Sequence, residues 1–130
     1  WMTGITGLFT RYEKLEVISA YAKANETDRH FYVVLKVRNT GTSDATIDEI
    51  FINGVPHGTL EGENAFTGLQ ITVGTTTYNS LGVTVRPGEE AEITFTLVST
   101  NAYTFSAGQV VEVKLHTAAG NEYPKSVQLP

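Results

Sequence analysis

Cysteine is absent from this chain of 130 residues. That excludes a disulfide framework and a thiolate metal site together. Basic residues are few, nine against fourteen acidic ones, and they lie scattered from Arg11 to Lys125. Such spacing builds no basic patch interleaved with aromatics, so no nucleic-acid partner is expected, nor an anionic membrane surface. Long apolar runs are missing as well. Nothing approaches the roughly 20 residues that span a bilayer, and no charged-then-apolar leader is present. The chain begins with Trp1 and not Met, which leads us to expect a processed or truncated product.

What is present suits a β domain. Hydrophobic residues make up 41% and charged residues 18%, a balance that belongs to a folded chain and not to a disordered one. Threonine is plentiful, and its branched side chain suits a pleated surface. The length corresponds to one domain with one core. Residues 1–10 (WMTGITGLFT) carry no charge and are interrupted by Gly4 and Gly7. They read as the end of something that continued upstream, or as a first edge strand.

Beyond residue 11 the pattern has a period of two. Residues 12–23 set Leu15, Val17, Ser19 and Tyr21 against Glu16, Ile18, Ala20 and Ala22. Residues 29–38 place Phe31, Val33, Leu35 and Val37 on one face. Residues 91–99 and 109–117 repeat this with Ile93, Phe95, Leu97 and with Val111, Val113, Leu115. Each is the signature of a half-buried strand. Further strands are expected over 46–52, 55–60, 68–73, 81–85 and 122–129. Asn53-Gly54 closes a tight hairpin. Residues 39–44, 86–89 and 118–121 are turns, and 74–80 is a polar loop. About eight or nine short strands without an amphipathic helix predict an all-β fold, an immunoglobulin-like antiparallel β-sandwich over residues 12–130. Residues 1–11 are set apart as a remnant of an N-terminal helix or linker. The disulfide and buried Trp of true immunoglobulin domains are missing, so the likeness is architectural.

No catalytic constellation emerges, and we expect no enzyme, no cofactor and no metal. His30, His57 and His116 lack metal spacing. His30 and His116 fall on polar strand faces, and His57 lies in a turn. There is no nucleophile elbow and no phosphate-binding glycine loop. Asp48 and Glu49 are adjacent on a strand and so are expected on opposite faces, unable to share a substrate. Glu89 and Glu90 read as a solvated turn. Residues 61–64 (Glu-Gly-Glu-Asn) are oxygen-rich but lack the Asp spacing of calcium loops. Asn25-Glu26-Thr27 is a glycosylation sequon, which makes Asn25 a candidate acceptor in the turn between the first two strands. Tyr32, Tyr78, Tyr103 and Phe105 are candidates for a sugar-stacking platform, or simply strand and core aromatics.

Several stretches resemble a known family. They are Val37-Arg38-Asn39-Thr40-Gly41-Thr42-Ser43, the run from Ala45 to Val55, Val83-Thr84-Val85-Arg86-Pro87-Gly88-Glu89, and the run from Val111 to Tyr123. Together they look like the extracellular domains of archaeal type IV pilins and archaellum-associated proteins, over residues 12–130. Residues 1–7 look like the tail of the hydrophobic N-terminal helix of such proteins, which is otherwise missing here. The resemblance implies a filament subunit at the cell surface that self-associates through that helix. Two alternatives go with it: a membrane-anchored archaellum accessory domain that binds the surface-layer protein, and a carbohydrate-binding adhesin module. Both place the domain outside the cell.

Overall fold

Alternation of apolar and polar side chains is translated directly into two packed sheets. The computed structural model describes residues 11–25 and 30–130. Along them run β1 (Leu15–Asn25), β2 (His30–Asn39), β3 (Ala45–Ile52), β4 (Val55–Pro56), the short helix α1 (His57–Gly62), β5 (Phe66–Val73), β6 (Thr76–Tyr78), β7 (Val83–Val85), β8 (Glu90–Val98), β9 (Val110–Thr117) and β10 (Glu122–Gln128). The first sheet has the order β1-β2-β8-β5-β6, and the second β10-β9-β3-β4 with β7 also paired to β3. All pairings are antiparallel. The chain is thus an all-β sandwich, with ten strands where eight or nine were expected. Of the expected remnant segment, residues 1–11, all but Arg11 lie outside the described residues.

The core sits between the central strands. Val33, Leu35 and Val37 on β2, Ile93, Phe95 and Leu97 on β8, Ile47, Ile50 and Ile52 on β3, and Val111, Val113 and Leu115 on β9 are each at most 1% exposed. The rings of Phe66 and Phe95 stack at 4.7 Å between centroids. At roughly 1.5–3 kcal/mol for each fully buried large aliphatic or aromatic side chain, these four strands hold the two sheets together.

Bulges in β1 and β3 decide which face several polar residues occupy. In β1 the register slips between Val17 and Ser19. Leu15 and Val17 point inward before the slip, and Ala20 and Ala22 after it, so the simple alternation expected over residues 12–23 does not hold. In β3 the slip lies between Ile47 and Glu49. Ile47 and Ile50 are both fully buried, which leaves Asp48 and Glu49 side by side on the outer face. This corrects the expectation that the two carboxylates point apart: one extra residue on a strand cancels the change of face.

Two local assignments also change. The strand expected over 55–60 is a two-residue strand followed by α1, because Leu60 turns into the core at 1% exposure while Gly58 and Gly62 stay outside. The loop expected over 74–80 contains a hairpin instead, with Gly74 at φ +63° in its turn and Ile71, Thr72 and Val73 paired to β6.

Asn39 ties its own turn, residues 39–44, to the end of β7. It is 1% exposed. Its Nδ2 donates to the carbonyls of Val85 at 2.8 Å and Ser43 at 2.9 Å, and its Oδ1 accepts the Gly41 N–H at 2.9 Å. Glu13 does similar work outside the core. Its Oε1 accepts from Thr117 Oγ1 at 2.5 Å, Tyr123 Oη at 2.9 Å and Asn121 Nδ2 at 3.1 Å. That ties the segment before β1 to the β9–β10 hairpin. No buried side-chain polar atom among the described residues lacks a partner.

Candidate functional site

The β3 bulge organises one polar cluster. His116, on the neighbouring strand β9, brings Nδ1 to 2.6 Å from Asp48 Oδ1. His57, the first residue of α1, brings Nδ1 to Glu49 Oε1 and holds Nε2 at 3.7 Å from Glu61 Oε1. The His57 ring also meets the Phe66 ring edge-on at 5.5 Å. Beside His116 lies Phe51, ring to ring at 6.4 Å, and the Lys114 ammonium sits over Phe51 at 5.0 Å while pairing with Glu122 at 3.3 Å. Hydrogen bonding to Asp48 raises the pKa of His116 above the ordinary histidine value, against some desolvation, and the charges of Asp48, Glu122 and Glu49 add to the rise.

Chemically this cluster is a set of tethers. Base catalysis on a nucleophile needs a hydroxyl or thiol within reach of the imidazole, and the hydrogen-bond partners of His57 and His116 are carboxylates. Metal binding needs donors that converge on one point. Glu49 and Glu61 face opposite nitrogens of one ring, so a single ion cannot sit between all three. Among the described residues no group of three or more His, Cys, Asp or Glu is arranged to hold a metal ion. The oxygen-rich segment 61–64 is the end of α1 and the turn after it, with Glu61 directed at His57.

A second feature lies at the end of the sandwich where β8 leaves the first sheet. A groove of about 1020 Å³ opens there, lined by Ala24, Phe31, Ser99, Thr100, Asn101, Thr104, Phe105, Ser106, Ala107 and Pro130. Phe31 and Phe105 are each 6% exposed and form its apolar floor. Hydroxyls and one amide surround them, and among the described residues no lining residue carries a charged side chain.

The loop that makes the groove is held from within. Ser99 Oγ donates to the Phe105 carbonyl and accepts the Phe105 N–H, both at 2.6 Å. Thr100 N–H donates to the Tyr103 carbonyl at 2.7 Å, and Tyr103 N–H returns to Thr100 Oγ1 at 3.1 Å. Gly108 N–H and Leu129 N–H bond across to the Leu129 and Gln109 carbonyls, each at 2.8 Å. A concave apolar floor with a few fixed polar groups is the usual form of a small-ligand site.

The residues singled out in the sequence fall as follows. Asn25 is the last residue of β1 and not a turn residue, while the rest of its sequon lies outside the described residues. His30 is half-buried on β2, beside Tyr32 in a shallow dip. The four aromatics do not form one platform. Tyr32 is on β2 and Tyr78 on β6, three strands away in the sheet order, or about 14 Å at the usual strand spacing. Tyr103 packs against the core, and only Phe105 reaches the groove. Apart from Phe105, residues 99–101 and 104–107 carry no signal in the sequence, because nothing in Ser-Thr-Asn or Thr-Phe-Ser-Ala marks a concave wall until the loop folds back on itself. Among the described residues no helix is long and apolar enough to cross a membrane.

Comparison with known proteins adds little to this geometry. No protein-family model matches the chain, and no curated protein matches it. A solved structure, a copper-bound PCuAC domain from PmoF2, aligns over 94% of this chain and 100% of its own at 13% identity with a TM-score of 0.49. At that level the likeness assigns no ligand, and the copper stays with that protein. The expected role as a subunit of a pilus-like filament is nevertheless corrected here. The solved structure that aligns over this domain is a copper-bound domain and not a pilin head, and neither the filament and archaellum roles nor the adhesin alternative is supported.

Proposed function

We propose that this domain is a non-catalytic recognition module that seats an uncharged ligand in the groove between β2, the 99–107 loop and Pro130. One observation carries the reading. This groove has an apolar floor of Phe31 and Phe105, a wall of Ser, Thr and Asn, and among the described residues no charged side chain in its lining. Binding there rests on buried apolar area and neutral hydrogen bonds. The paired hydrogen bonds of Ser99 with Phe105 support a preformed wall, which lowers the entropy lost on binding. The proposal includes kinship with the extracellular head domains named above, at the level of the sandwich alone, and with it a position outside the cell.

Amide chemical-shift mapping with a set of small neutral fragments tests the reading. Shifts concentrated on residues 99–107 and 31, and lost when Ala107→Trp fills the groove, would support it. Shifts spread evenly over the surface, or unchanged in the Ala107→Trp protein, would refute it.

A further inference from the structure

The first sheet ends on a strand whose exposed groups are complementary to themselves. β1 is an edge strand of that sheet, paired to β2 alone among the described residues. Two of its large apolar side chains stand in solvent, Ile18 at 48% exposure and Tyr21 at 45%. Unpaired strand edges are templates for another strand, and proteins that do not use them usually guard them with charge, proline, a bulge or a covering segment. The central stretch of β1 from Ile18 to Ala22 carries no charge and no proline; it does carry the bulge after Val17, and β10 packs close to β1.

We infer that β1 is a homotypic docking edge: two copies of this chain pair antiparallel through it, about a two-fold axis at Ala20, in a closed dimer. The bulge makes this register possible. Glu16 and Lys23 are seven residues apart, which in a regular strand puts them on opposite faces. The extra residue between Val17 and Ser19 returns Lys23 to the face of Glu16. Their partners on β2, Arg38 and Tyr32, are accordingly both exposed on one side of the sheet.

Two such strands then align throughout. Glu16 lies opposite Lys23 of the second copy, twice by symmetry. The Ile18–Ser19 bulge lies opposite the second copy's Tyr21, and Ala20 meets Ala20. Val17 meets Ala22 on the inner side. Lys23 already lies over Tyr21 of its own chain, its ammonium 5.9 Å from the ring centre, so the cation is held at the edge where the second copy's Glu16 arrives.

A two-fold interface of this kind is self-complementary and closes at two copies. One strand from each copy makes a small contact beside standard interfaces of roughly 1,200–2,000 Å², so a weak, concentration-dependent dimer is expected. The inference does not draw on the groove and stands or falls apart from it.

Sedimentation velocity over a concentration series to about millimolar at low salt reads it, because rim charges are screened as salt rises. A monomer–dimer equilibrium is expected. Lys23→Glu and Glu16→Lys are each expected to weaken it about tenfold by setting like charges opposite one another. The double variant Glu16→Lys/Lys23→Glu is expected to restore it. Both positions are exposed, and an unchanged circular dichroism spectrum confirms that each variant folds. A monomer at every concentration, a dimer indifferent to either single reversal, or a double variant that stays monomeric would each overturn the inference.

Discussion

Replacing Asn39 by alanine is expected to cost about 3 kcal/mol of folding stability, and replacing it by aspartate more. The reasoning starts from three hydrogen bonds, two donated by Nδ2 to the Val85 and Ser43 carbonyls and one accepted by Oδ1 from Gly41. A hydrogen bond contributes about 1 kcal/mol net, and a polar group left buried without its partner costs about 1–3 kcal/mol. Asn39 is 1% exposed, and its bond to Val85 is buried while the other two are partly so. One full penalty and two smaller ones give the figure for Asn39→Ala. For a domain of this size that lowers Tm by about 10 °C.

Asn39→Asp keeps the acceptor for Gly41 but turns a carboxylate oxygen toward two carbonyls. At neutral pH it is expected to lose about 4 kcal/mol or more. Part of this returns at acid pH, where the protonated carboxyl can donate once. Urea unfolding of the three proteins at pH 7 and pH 4 makes the comparison. A loss under about 1 kcal/mol for Asn39→Ala, or an aspartate variant as stable as asparagine at pH 7, would refute the account of Asn39 as the tie between its own turn and the end of β7.

Other outcomes follow from other contacts. The pKa of His116 is raised, chiefly by its hydrogen bond to Asp48, so its contribution is complete below the unfolded value of about 6.5 and is lost as pH rises through the folded value. Asp48→Asn is therefore expected to lower Tm most between about pH 5 and 6.5, and a pH-independent difference would contradict the pairing. Burial and the hydrogen bond to Glu13 push Tyr123 up to about 12 from 10.0, so stability is expected to fall as pH rises from 10.0 to about 12, with no such fall in Tyr123→Phe. In the same variant the loss at neutral pH is expected to be about 1 kcal/mol, once solvent screening is discounted. Gly41→Ala would place a Cβ 2.6 Å from Lys14 N and 2.7 Å from Tyr12 O, both backbone atoms. It is expected to cost about 1–3 kcal/mol and to speed proteolysis within residues 11–14, while wild-type resistance there would show that the segment yields without loss.

Where the sequence reading succeeded, the signal was local and periodic. The faces of β2, β8 and β9 are legible from Val33, Leu35, Ile93, Phe95, Val111 and Val113, because a strand with one buried face cannot slip register without burying polar groups. Asn53-Gly54 forms the expected tight turn, with φ +52° and +82°, since few other pairs accept two positive values. The same logic failed at β1 and β3. A bulge is one unpaired residue, and only the neighbouring strand reveals it.

The histidine–carboxylate cluster was hidden for the same reason. Asp48 and Glu49 read as opposed until the bulge in β3 set them together, and His57 read as a plain turn residue until Leu60 drew α1 onto the core. Asn39 was legible as a turn former, but its partner at Val85 is 46 positions away. The groove wall comes from residues near 31, 99–107 and 130, separated in the chain and joined only when β2, β8 and the chain end converge.

By itself, then, the amino-acid sequence determined the fold class, most of the strands and the faces they bury. It also left no thiol for a disulfide or a thiolate metal site; composition and period-two alternation act within a few residues. Tertiary structure alone decided the bulges, the tethers of His57 and His116, the groove and the self-complementary edge, because each depends on which strand lies beside which.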